Sequence, residues 1–291
     1  MKKVAIVILN YKNSKDTIEC VESLEKISYK NFEIVIVDND SKDGSIELLK
    51  KQFKEKHIIL DSKKNGGFAY GNNVGIKYAL KNGADYILLI NNDTTVEENF
   101  LDVLVETAEK DKNIGISTGL IMNYYDKNKV WYNGGEIDWN KFYGYHLNER
   151  GNLSTLEEEK EITFATGCLM LIRKEVFETI GLLPEEYFMY YEDVDFCAMV
   201  KSQGYKIIYN SKSKIYHKIS ASSGEEESPF AIEWNTRNRM RFYRKYKNIN
   251  NGKMKSTFPT FFYTTRVLKC GKYLIDGRLD KIKSIQKGLK G

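Results

Sequence analysis

The feature that most constrains the fold is an alternation of short apolar runs with amphipathic segments over the first 122 of 291 residues. β-Branched and aliphatic runs predict buried strands at residues 4–9, 32–37, 57–60, 86–90 and 114–121. The intervening segments have helical spacing and predict helices at about 16–26, 46–53, 97–110 and from the 65–73 stretch to about 81. Because strands that alternate with helices form a mostly parallel sheet covered on both faces, the sequence predicts a doubly wound α/β fold.

Polar side chains directly follow three of the predicted strands. They are Asn10 after the first strand, Asp38 and Asn39 after the second, and Asn91, Asn92 and Asp93 after the fourth. Ligands of open α/β sheets bind beyond the carboxyl ends of the strands, so these residues are candidates for a binding site. Asp93, a lone carboxylate among neutral oxygen donors, suits a divalent cation that completes its shell with substrate phosphates. Asx turns that cap the following helices, with Thr94 or Thr95 as one N-cap, explain the same residues equally well.

A glycine-rich stretch at residues 65–73, which includes Gly67 and Asn72, opens the third predicted helix. Glycines at a helix amino terminus offer backbone N–H groups to a phosphate. The spacing matches neither the dinucleotide-binding fingerprint nor the P-loop, so this stretch alone is weak evidence for a phosphate site.

The alternation breaks at residues 123–160, a segment rich in Asn, Gly and aromatic residues that includes Trp131 and Trp139. We expect loops over the edge of the sheet there, with aromatic faces available to stack on an acceptor sugar, although ordinary packing explains most of these rings. Further strands are predicted at 164–172, 206–209 and 214–217, and further helices at 174–180 and about 192–202.

Three carboxylates begin the helix predicted at 192–202. Glu192, Asp193 and Asp195 lie among aromatic residues, and apolar surroundings raise carboxyl pKa values in a way that suits a general base. Acidic residues in a first helical turn are also favoured by the helix dipole alone. His217 ends the last predicted strand and is a candidate metal ligand, although a structural role is the commoner one for a single histidine.

The chain carries its positive charge at the carboxyl end. Residues 230–291 contain 16 Lys and Arg against 3 Asp and Glu, a net charge of +13, whereas residues 1–229 carry −8. This basic tail, interleaved with aromatic residues, predicts helices that contact an anionic membrane surface or pack on the body, and nucleic acid is a third candidate partner. No window approaches the roughly 18 apolar residues of a membrane span, and no cleavable apolar region follows Met1, so we expect a cytoplasmic location, with the inner face of the membrane as a contact surface.

Seven stretches in this order resemble those of inverting glycosyltransferases of family 2, which have the nucleotide-diphosphosugar transferase (GT-A) fold. The stretches are Ile8-Leu9-Asn10-Tyr11, Val37-Asp38-Asn39-x-Ser41-x-Asp43-Gly44-Ser45, Asn65-x-Gly67-Phe68-Ala69-x-Gly71-Asn72-Asn73-x-Gly75, Leu89-x-Asn91-Asn92-Asp93-Thr94, Thr166-Gly167-Cys168-x-Met170-Leu171-Ile172, Tyr190-x-Glu192-Asp193-x-Asp195-Phe196 and Tyr216-His217. Each is weak alone, but seven in register over about three quarters of the chain are specific. The most similar subgroup contains rhamnosyltransferases and related enzymes of bacterial surface polysaccharide assembly.

The resemblance implies roles for these positions. Asp193 would be the catalytic base, and Asp93 and His217 would bind Mn²⁺ or Mg²⁺ at the donor diphosphate. The implied nucleotide-sugar contacts are Asn10, Asp38, which would meet the base, Asn39, Gly67, Asn72, Asn91 and Asn92. The implied acceptor-side residues are Glu192, Asp195, Trp131 and Trp139. Asn91 stands where the family often has Asp, which removes one negative charge from the metal motif.

The sequence thus predicts a GT-A catalytic domain at 1–228, with a nucleotide-binding half at about 1–122 and an acceptor half at about 123–228, and a helical extension at 229–291. The favoured donor is dTDP-rhamnose, with a UDP-hexose or UDP-N-acetylhexosamine as the alternative, and the acceptor is a glycan that a polyprenyl diphosphate could carry. A nucleic-acid-binding protein is a more distant alternative, because no binding motif accompanies the basic tail. A sugar nucleotidyltransferase would need a glycine-rich loop after the first strand, which Asn10-Tyr11-Lys12-Asn13 does not provide.

Overall fold

The computed structural model describes residues 1–147, 157–218, 228–248 and 257–291, which form helices packed on a central sheet. The strands are β1 (Val4–Asn10), β2 (Phe32–Asp38), β3 (Ile58–Asp61), β4 (Tyr86–Asn91), β5 (Thr94–Val96), β6 (Ile114–Asn123), β7 (Val130–Tyr132), β8 (Gly135–Asp138), β9 (Tyr143–His146), β10 (Glu159–Ile162), β11 (Leu169–Arg173) and β12 (Lys206–His217). The helices are α1 (Ser14–Leu24), α2 (Ser45–Phe53), α3 (Gly67–Lys81), α4 (Phe100–Glu109), α5 (Lys174–Ile180), α6 (Glu192–Ser202), α7 (Pro229–Tyr246), α8 (Phe258–Ile275) and α9 (Leu279–Lys290).

The central sheet has the strand order β3, β2, β1, β4, β11, β6, β12, β10. β3, β2, β1 and β4 are parallel to one another, and β6 is parallel to β12. β11 lies antiparallel between β4 and β6, and β10 lies antiparallel on β12 at one edge. The structure therefore confirms the predicted α/β fold with a mostly parallel sheet.

The register of β1, β2 and β4 brings their polar ends to one edge of the sheet. Strands covered on both faces consist of continuous apolar runs, and no residue of β4 before Asn91 is more than 2% exposed. Asn10 pairs with Asp38, and Leu9 pairs with Asn91. The polar residues that follow the three strands consequently lie close together.

Residues 94–96 correct the helix cap that the sequence suggested. They form β5, in which Thr94 pairs with His217 and Thr95 with Tyr216 on β12. Helix α4 begins at Phe100 instead, after the N-cap residue Asn99. Thr94 and Thr95 are strand residues because pairing with β12 provides partners for their backbone groups.

Three other predicted elements differ in the structure. Residues 206–217 form the single strand β12, with a register shift between Asn210 and Lys214, rather than two short strands. The strand predicted at 164–172 begins only at Leu169, because a turn at residues 167–168 precedes it. Within the segment expected to form loops, β7 pairs with β6, and β8 and β9 form an antiparallel hairpin; residues 148–156 of that segment lie outside the described residues.

The predicted helical extension is present and packs on the body. Phe242 of α7 and Phe258 and Phe262 of α8 belong to the same hydrophobic core as the sheet. A smaller cluster of Ile232, Tyr273 and Ile285 joins α7, α8 and α9. None of the helices in the described ranges has both the length and the apolar character that a membrane-spanning helix needs. The domain boundary at residue 228 stays a prediction.

Candidate active site

A cleft of about 860 Å³ opens beyond the carboxyl ends of β1 and β4. It is bordered by the start of α3, by residues 188–194 around the start of α6, and by the β8–β9 hairpin. Its volume is within the range of sites for small molecules and cofactors. Many of its lining side chains are aromatic, including those of Phe68, Trp131, Tyr143, Phe164, Phe188 and Tyr190.

A chain of buried hydrogen bonds supports the floor of the cleft. Asn91 and Asn92 line this floor. Nδ2 of Asn92 donates to Oγ1 of Thr17 at 2.9 Å, and this hydroxyl donates to Oδ1 of Asn10 at 2.7 Å. Nδ2 of Asn10 then donates to Oδ1 of Asp38 at 2.7 Å. The chain of bonds fixes the amide of Asn92 from behind the cleft.

Asn10 and Asp38 lie behind the floor and do not line the cleft. The carboxylate of Asp38 also accepts hydrogen bonds from the backbone N–H and the hydroxyl of Ser41, at 3.0 and 2.6 Å. The backbone bond closes the Asx-type turn that the sequence also allowed. Because Asp38 is 2% exposed and its carboxylate is bonded within the protein, its predicted contact to a nucleotide base stays a prediction, as does the contact predicted for Asn10.

The glycine-rich start of α3 contacts the segment that precedes α6. Asn39 and Gly67 line the cleft, and Nδ2 of Asn39 donates to the carbonyl oxygen of Gly67 at 3.2 Å. Gly67 has a φ of 88°, and a Cβ there would overlap the carbonyl oxygen of Phe188. Asn72 instead donates to the carbonyl oxygen of Phe68 at 3.0 Å and is buried within α3, outside the cleft lining. Gly67 therefore permits the close approach of two segments that border the cleft.

Asp93 and His217 meet where β5 pairs with β12. Nε2 of His217 lies 3.1 Å from Oδ1 of Asp93, and both side chains are nearly fully buried. His217 also lines the cleft, and its Nδ1 has no hydrogen-bond partner among the described residues. A buried carboxylate beside an imidazole with an unsatisfied nitrogen fits a divalent cation such as Mn²⁺. No group of three or more His, Cys, Asp or Glu side chains forms a metal cluster in the described ranges, so ligand oxygens would have to complete the shell.

Glu192 and Asp193, the first two residues of α6, line the cleft. Asp193 accepts hydrogen bonds from the backbone N–H of Gly167 at 3.0 Å and from its neighbour Val194 at 2.8 Å. Burial raises the pKa of Asp193, and these two N–H groups partly oppose the shift. Burial and the charge of Asp193 raise the pKa of Glu192 well above its ordinary value. Carboxylates with raised pKa values in a cleft are suited to accept a proton.

Asp195 and Trp139 do not line the cleft, and the acceptor contacts predicted for them stay predictions. Asp195 is fully buried and accepts hydrogen bonds from Nζ of Lys245, at 2.6 Å, and from the hydroxyl of Tyr246. The indole of Trp139 stacks on the ring of Phe242 with 5.6 Å between centroids. All three partners lie on α7, so both side chains fasten that helix to the body.

Trp131, the other aromatic residue predicted on the acceptor side, does line the cleft. Its ring contacts two imidazoles, with centroid distances of 4.5 Å to His217 and 4.8 Å to His146. His146 lines the cleft as well, although no sequence pattern predicts this position. The only indication in the sequence is that His146, one of three histidines in the chain, lies in an aromatic segment. An acceptor contact by Trp131 stays a prediction.

The sequence matches the family model for "Glycosyl transferase family 2" over residues 5–181. It is 27% identical, over 81% of its length and 74% of the relative, to the low-salt glycan biosynthesis hexosyltransferase Agl10 of Haloferax volcanii. It is 24% identical to the dTDP-rhamnosyl transferase RfbF of Shigella flexneri, over 69% of this chain and 64% of that protein. It is 23% identical to the rhamnosyltransferase WbbL of Escherichia coli K12, over 78% and 89% of the two chains.

Two solved structures share the fold. One is the crystal structure of GalNAc-T7 with UDP, GalNAc and Mn²⁺, which has a TM-score of 0.68 and 17% sequence identity to this chain. The match covers 89% of this chain, which spans half the length of that protein. The other is the mannosyltransferase PcManGT of Pyrobaculum calidifontis with GDP-Man and Mn²⁺, which has a TM-score of 0.60 and 13% sequence identity. This match covers 99% of this chain and 74% of that protein. These likenesses confirm the predicted GT-A fold. Because the family model covers more than half of the sequence, the chain belongs to glycosyl transferase family 2, as its seven motifs predicted.

Proposed function

We propose that the chain is an inverting, metal-dependent glycosyltransferase that moves a sugar from a nucleotide diphosphate to a hydroxyl group of a glycan. One observation carries the proposal. The same cleft is lined by His217, which contacts Asp93, and by the carboxylate of Asp193. A cation-binding pair and a proton acceptor in one cleft are the groups that a single displacement at a sugar carbon requires.

In the proposed reaction, Asp193 accepts the proton of the acceptor hydroxyl while the hydroxyl oxygen forms a bond to the anomeric carbon. The bond from that carbon to the diphosphate oxygen breaks on the opposite face, so the configuration inverts and a nucleoside diphosphate leaves. The N–H groups of Gly167 and Val194 hold the carboxylate in one orientation. Its raised pKa increases its affinity for the proton during attack.

Asp93 and His217 would hold Mn²⁺ or Mg²⁺, and a bound cation would neutralise negative charge on the departing diphosphate. A nitrogen ligand beside an oxygen ligand favours Mn²⁺. Asn91 contributes no charge to this motif. We therefore expect the metal to bind weakly to the free protein and more tightly when a nucleotide supplies oxygen ligands.

The favoured donor is dTDP-rhamnose. The names of two relatives support this choice, since RfbF is a dTDP-rhamnosyl transferase and WbbL is a rhamnosyltransferase. A UDP-hexose or UDP-N-acetylhexosamine is the alternative, because Agl10 is a hexosyltransferase and GalNAc-T7 was solved with UDP. These sugars would be transferred to a glycan in the synthesis of a cell-surface polysaccharide.

A donor panel with Mn²⁺ and bacterial lipid extract as acceptor tests the proposal. We expect release of one nucleoside diphosphate and a glycosylated product whose anomeric configuration, read by NMR, is opposite to that of the donor. Retention of configuration would exclude the single displacement. Failure of every nucleotide sugar to react would contradict the proposed activity.

Helix α8 carries a candidate membrane contact. Four apolar side chains of this helix are largely exposed, with exposed fractions of 70% for Val267, 67% for Leu268, 64% for Leu274 and 88% for Ile275. Lys272, on the same helix, is also exposed. An apolar helix face with flanking lysines suits the interface of an anionic membrane. Such a contact would bring the cleft to a polyprenyl-diphosphate-linked glycan at the inner face of the membrane.

Flotation with phosphatidylglycerol vesicles tests this contact. We expect the wild-type protein to bind and the double variant Leu268→Asp/Ile275→Asp to stay in solution at the same salt concentration. Leu48→Asp is the matched control, because Leu48 is 44% exposed on α2, at a distant position in the sequence. Equal binding by all three proteins, or none by the wild type, would contradict the contact. We expect no salt-dependent binding to DNA or RNA.

A further inference from the structure

Two consecutive tyrosines immediately before the cleft carboxylates adopt a left-handed backbone conformation. The φ angle is 67° at Tyr190 and 76° at Tyr191. This conformation costs a non-glycine residue about 1–2 kcal/mol, so other contacts must hold the turn in place. Tyr191 is the N-cap of α6, and Glu192 and Asp193 are the first residues of that helix. The turn therefore determines where both carboxylates lie.

The side chain of Asn238, on α7, bonds directly to this turn. Its Nδ2 donates to the carbonyl oxygen of Met189 at 2.9 Å and to that of Tyr190 at 3.0 Å. Asn238 is completely buried, whereas Met189 and Tyr190 line the cleft. One amide group thus fixes two successive carbonyl groups at the strained position.

The chemistry of these contacts favours asparagine. A primary amide has two N–H groups on one nitrogen, so it can donate to two neighbouring carbonyl oxygens at once. An aliphatic side chain of similar size would leave both carbonyls without these donors. A buried polar group that loses its partner costs about 1–3 kcal/mol, comparable with the strain of the turn.

Helix α7 also contacts the chain on both sides of the carboxylates. Nζ of Lys245 bonds to Asp195 at 2.6 Å, and the ring of Phe242 lies 5.9 Å from that of Tyr191. The pair Glu192–Asp193 is therefore held on both sides by one helix. This helix lies outside residues 5–181, which match the family model.

We propose that Asn238 is a positioning residue, whose amide holds the Tyr190–Tyr191 turn in the conformation that directs Glu192 and Asp193 into the cleft. The inference rests on the proposed function, in which Asp193 accepts the proton of the acceptor. Asn238 touches neither substrate nor the reacting atoms in this account. Its effect on transfer passes through the turn.

Kinetics of Asn238→Leu and Asn238→Ala test the role. Leucine keeps a similar side-chain volume but has no hydrogen-bond donor. Alanine removes both the volume and the donor. We expect kcat to fall about 100-fold in each, because misplacement of a catalytic group by about 1 Å has that effect. The Kd of the nucleoside diphosphate with Mn²⁺ should change less than twofold. Thr236→Ala is the matched control, since Thr236 is buried on the same helix but faces Gly288 of α9, and it should keep the wild-type kcat.

Hydrogen exchange supplies a readout that does not depend on activity. Backbone amides of residues 189–195 should exchange faster in both Asn238 variants than in the wild type and in Thr236→Ala. Wild-type kcat with unchanged exchange would overturn the inference. So would an equal loss of kcat and nucleotide affinity, because that result indicates general unfolding. Failure of the wild-type protein to transfer any sugar would contradict the proposed function instead, and the exchange measurement would still decide whether Asn238 holds the turn.

Discussion

Nε2 of His217 lies 3.1 Å from Oδ1 of Asp93, although the two residues belong to distant parts of the chain. They meet because Thr94, which follows Asp93, pairs with His217 in the β5–β12 ladder. Lys218 strengthens this arrangement. Its backbone N–H donates to the carbonyl oxygen of Asp93 at 2.9 Å, and its Nζ bonds to Asp16 of α1 at 2.5 Å. The candidate metal pair is thus fixed by strand pairing and by a nearly buried lysine.

Replacing Asp93 with Ala should weaken metal-dependent binding of the nucleotide about tenfold or more, because it removes the only carboxylate of the pair. Isothermal titration of nucleoside diphosphate with Mn²⁺ measures this change. With chelator present, wild type and variant should bind the nucleotide equally weakly. Equal affinities of the two proteins in Mn²⁺ would show that Asp93 does not bind the cation.

Replacing Asp193 with Asn should reduce kcat by about 10²–10⁴-fold, because the amide cannot accept the acceptor proton. Nucleotide affinity should remain, since Asp193 lies on α6, whereas Asp93 directly precedes β5 and His217 ends β12. Steady-state transfer and nucleotide titration together separate the two effects. A variant with wild-type kcat would exclude Asp193 as the base.

Replacing Glu192 with Gln should stabilise the protein at alkaline pH. Because burial raises the pKa of Glu192 in the folded state, the folded protein holds this proton more tightly than the unfolded chain. The stability contributed by the group is present below its unfolded pKa and is lost as the pH rises toward the folded pKa. Melting at pH 8 should therefore occur about 2 °C or more higher in the variant, with the difference vanishing near pH 4. A wild type that melts higher at pH 8 would contradict this account.

Replacing Asp195 with Ala should lower the free energy of unfolding by about 1–3 kcal/mol, because it leaves Tyr246 and Lys245 without their buried acceptor. Urea unfolding measures this loss. Glu158→Ala is the control, since Glu158 pairs with Lys212 at 2.5 Å on an exposed surface and should lose little stability. Equal effects of the two substitutions would contradict the structural role of Asp195.

Replacing Gly67 with Ala should impair transfer more than replacing Gly83 with Ala. Both glycines have positive φ, 88° and 75°, so both substitutions introduce backbone strain. Only at Gly67 would the new Cβ overlap the carbonyl oxygen of Phe188, beside the cleft, because the position of Gly83 is open. We expect both variants to lose some thermal stability but only Gly67→Ala to lose at least tenfold in kcat. Equal kcat values would show that this contact does not affect the site.

The sequence predicted the strands and their polar ends because each depends on a short stretch of chain. β1, β2 and β4 are continuous apolar runs, as expected for strands covered on both faces. Parallel pairing then places the residues that follow them at one edge, whatever the details of the loops. The neighbourhood of Asn92 and Asp93 could be predicted for this reason.

Contacts between distant segments could not be predicted in the same way. β5 is three residues long and forms only because β12 pairs with it. His146 reaches the cleft through the β8–β9 hairpin, which no periodic pattern in the sequence indicates. Asp195 has aromatic neighbours in the sequence, as a carboxylate in a cleft can have. The sequence does not distinguish aromatic residues that border a cleft from those that pack against α7. The role of Asn238 depends on a backbone turn that no local pattern indicates.

Thermal unfolding of the wild-type protein with dTDP, UDP and GDP, each with Mn²⁺ and with chelator, tests whether the protein has a metal-dependent nucleotide site. A ligand that binds only the folded state stabilises the protein by about 2.7 kcal/mol when its concentration is 100 times its Kd. Because binding alone produces this effect, the measurement needs no acceptor. We predict a rise in melting temperature that requires both Mn²⁺ and one of the nucleotides, with dTDP giving the largest rise. An unchanged melting temperature with all three nucleotides, or an equal rise in chelator, would contradict a metal-dependent nucleotide-sugar site.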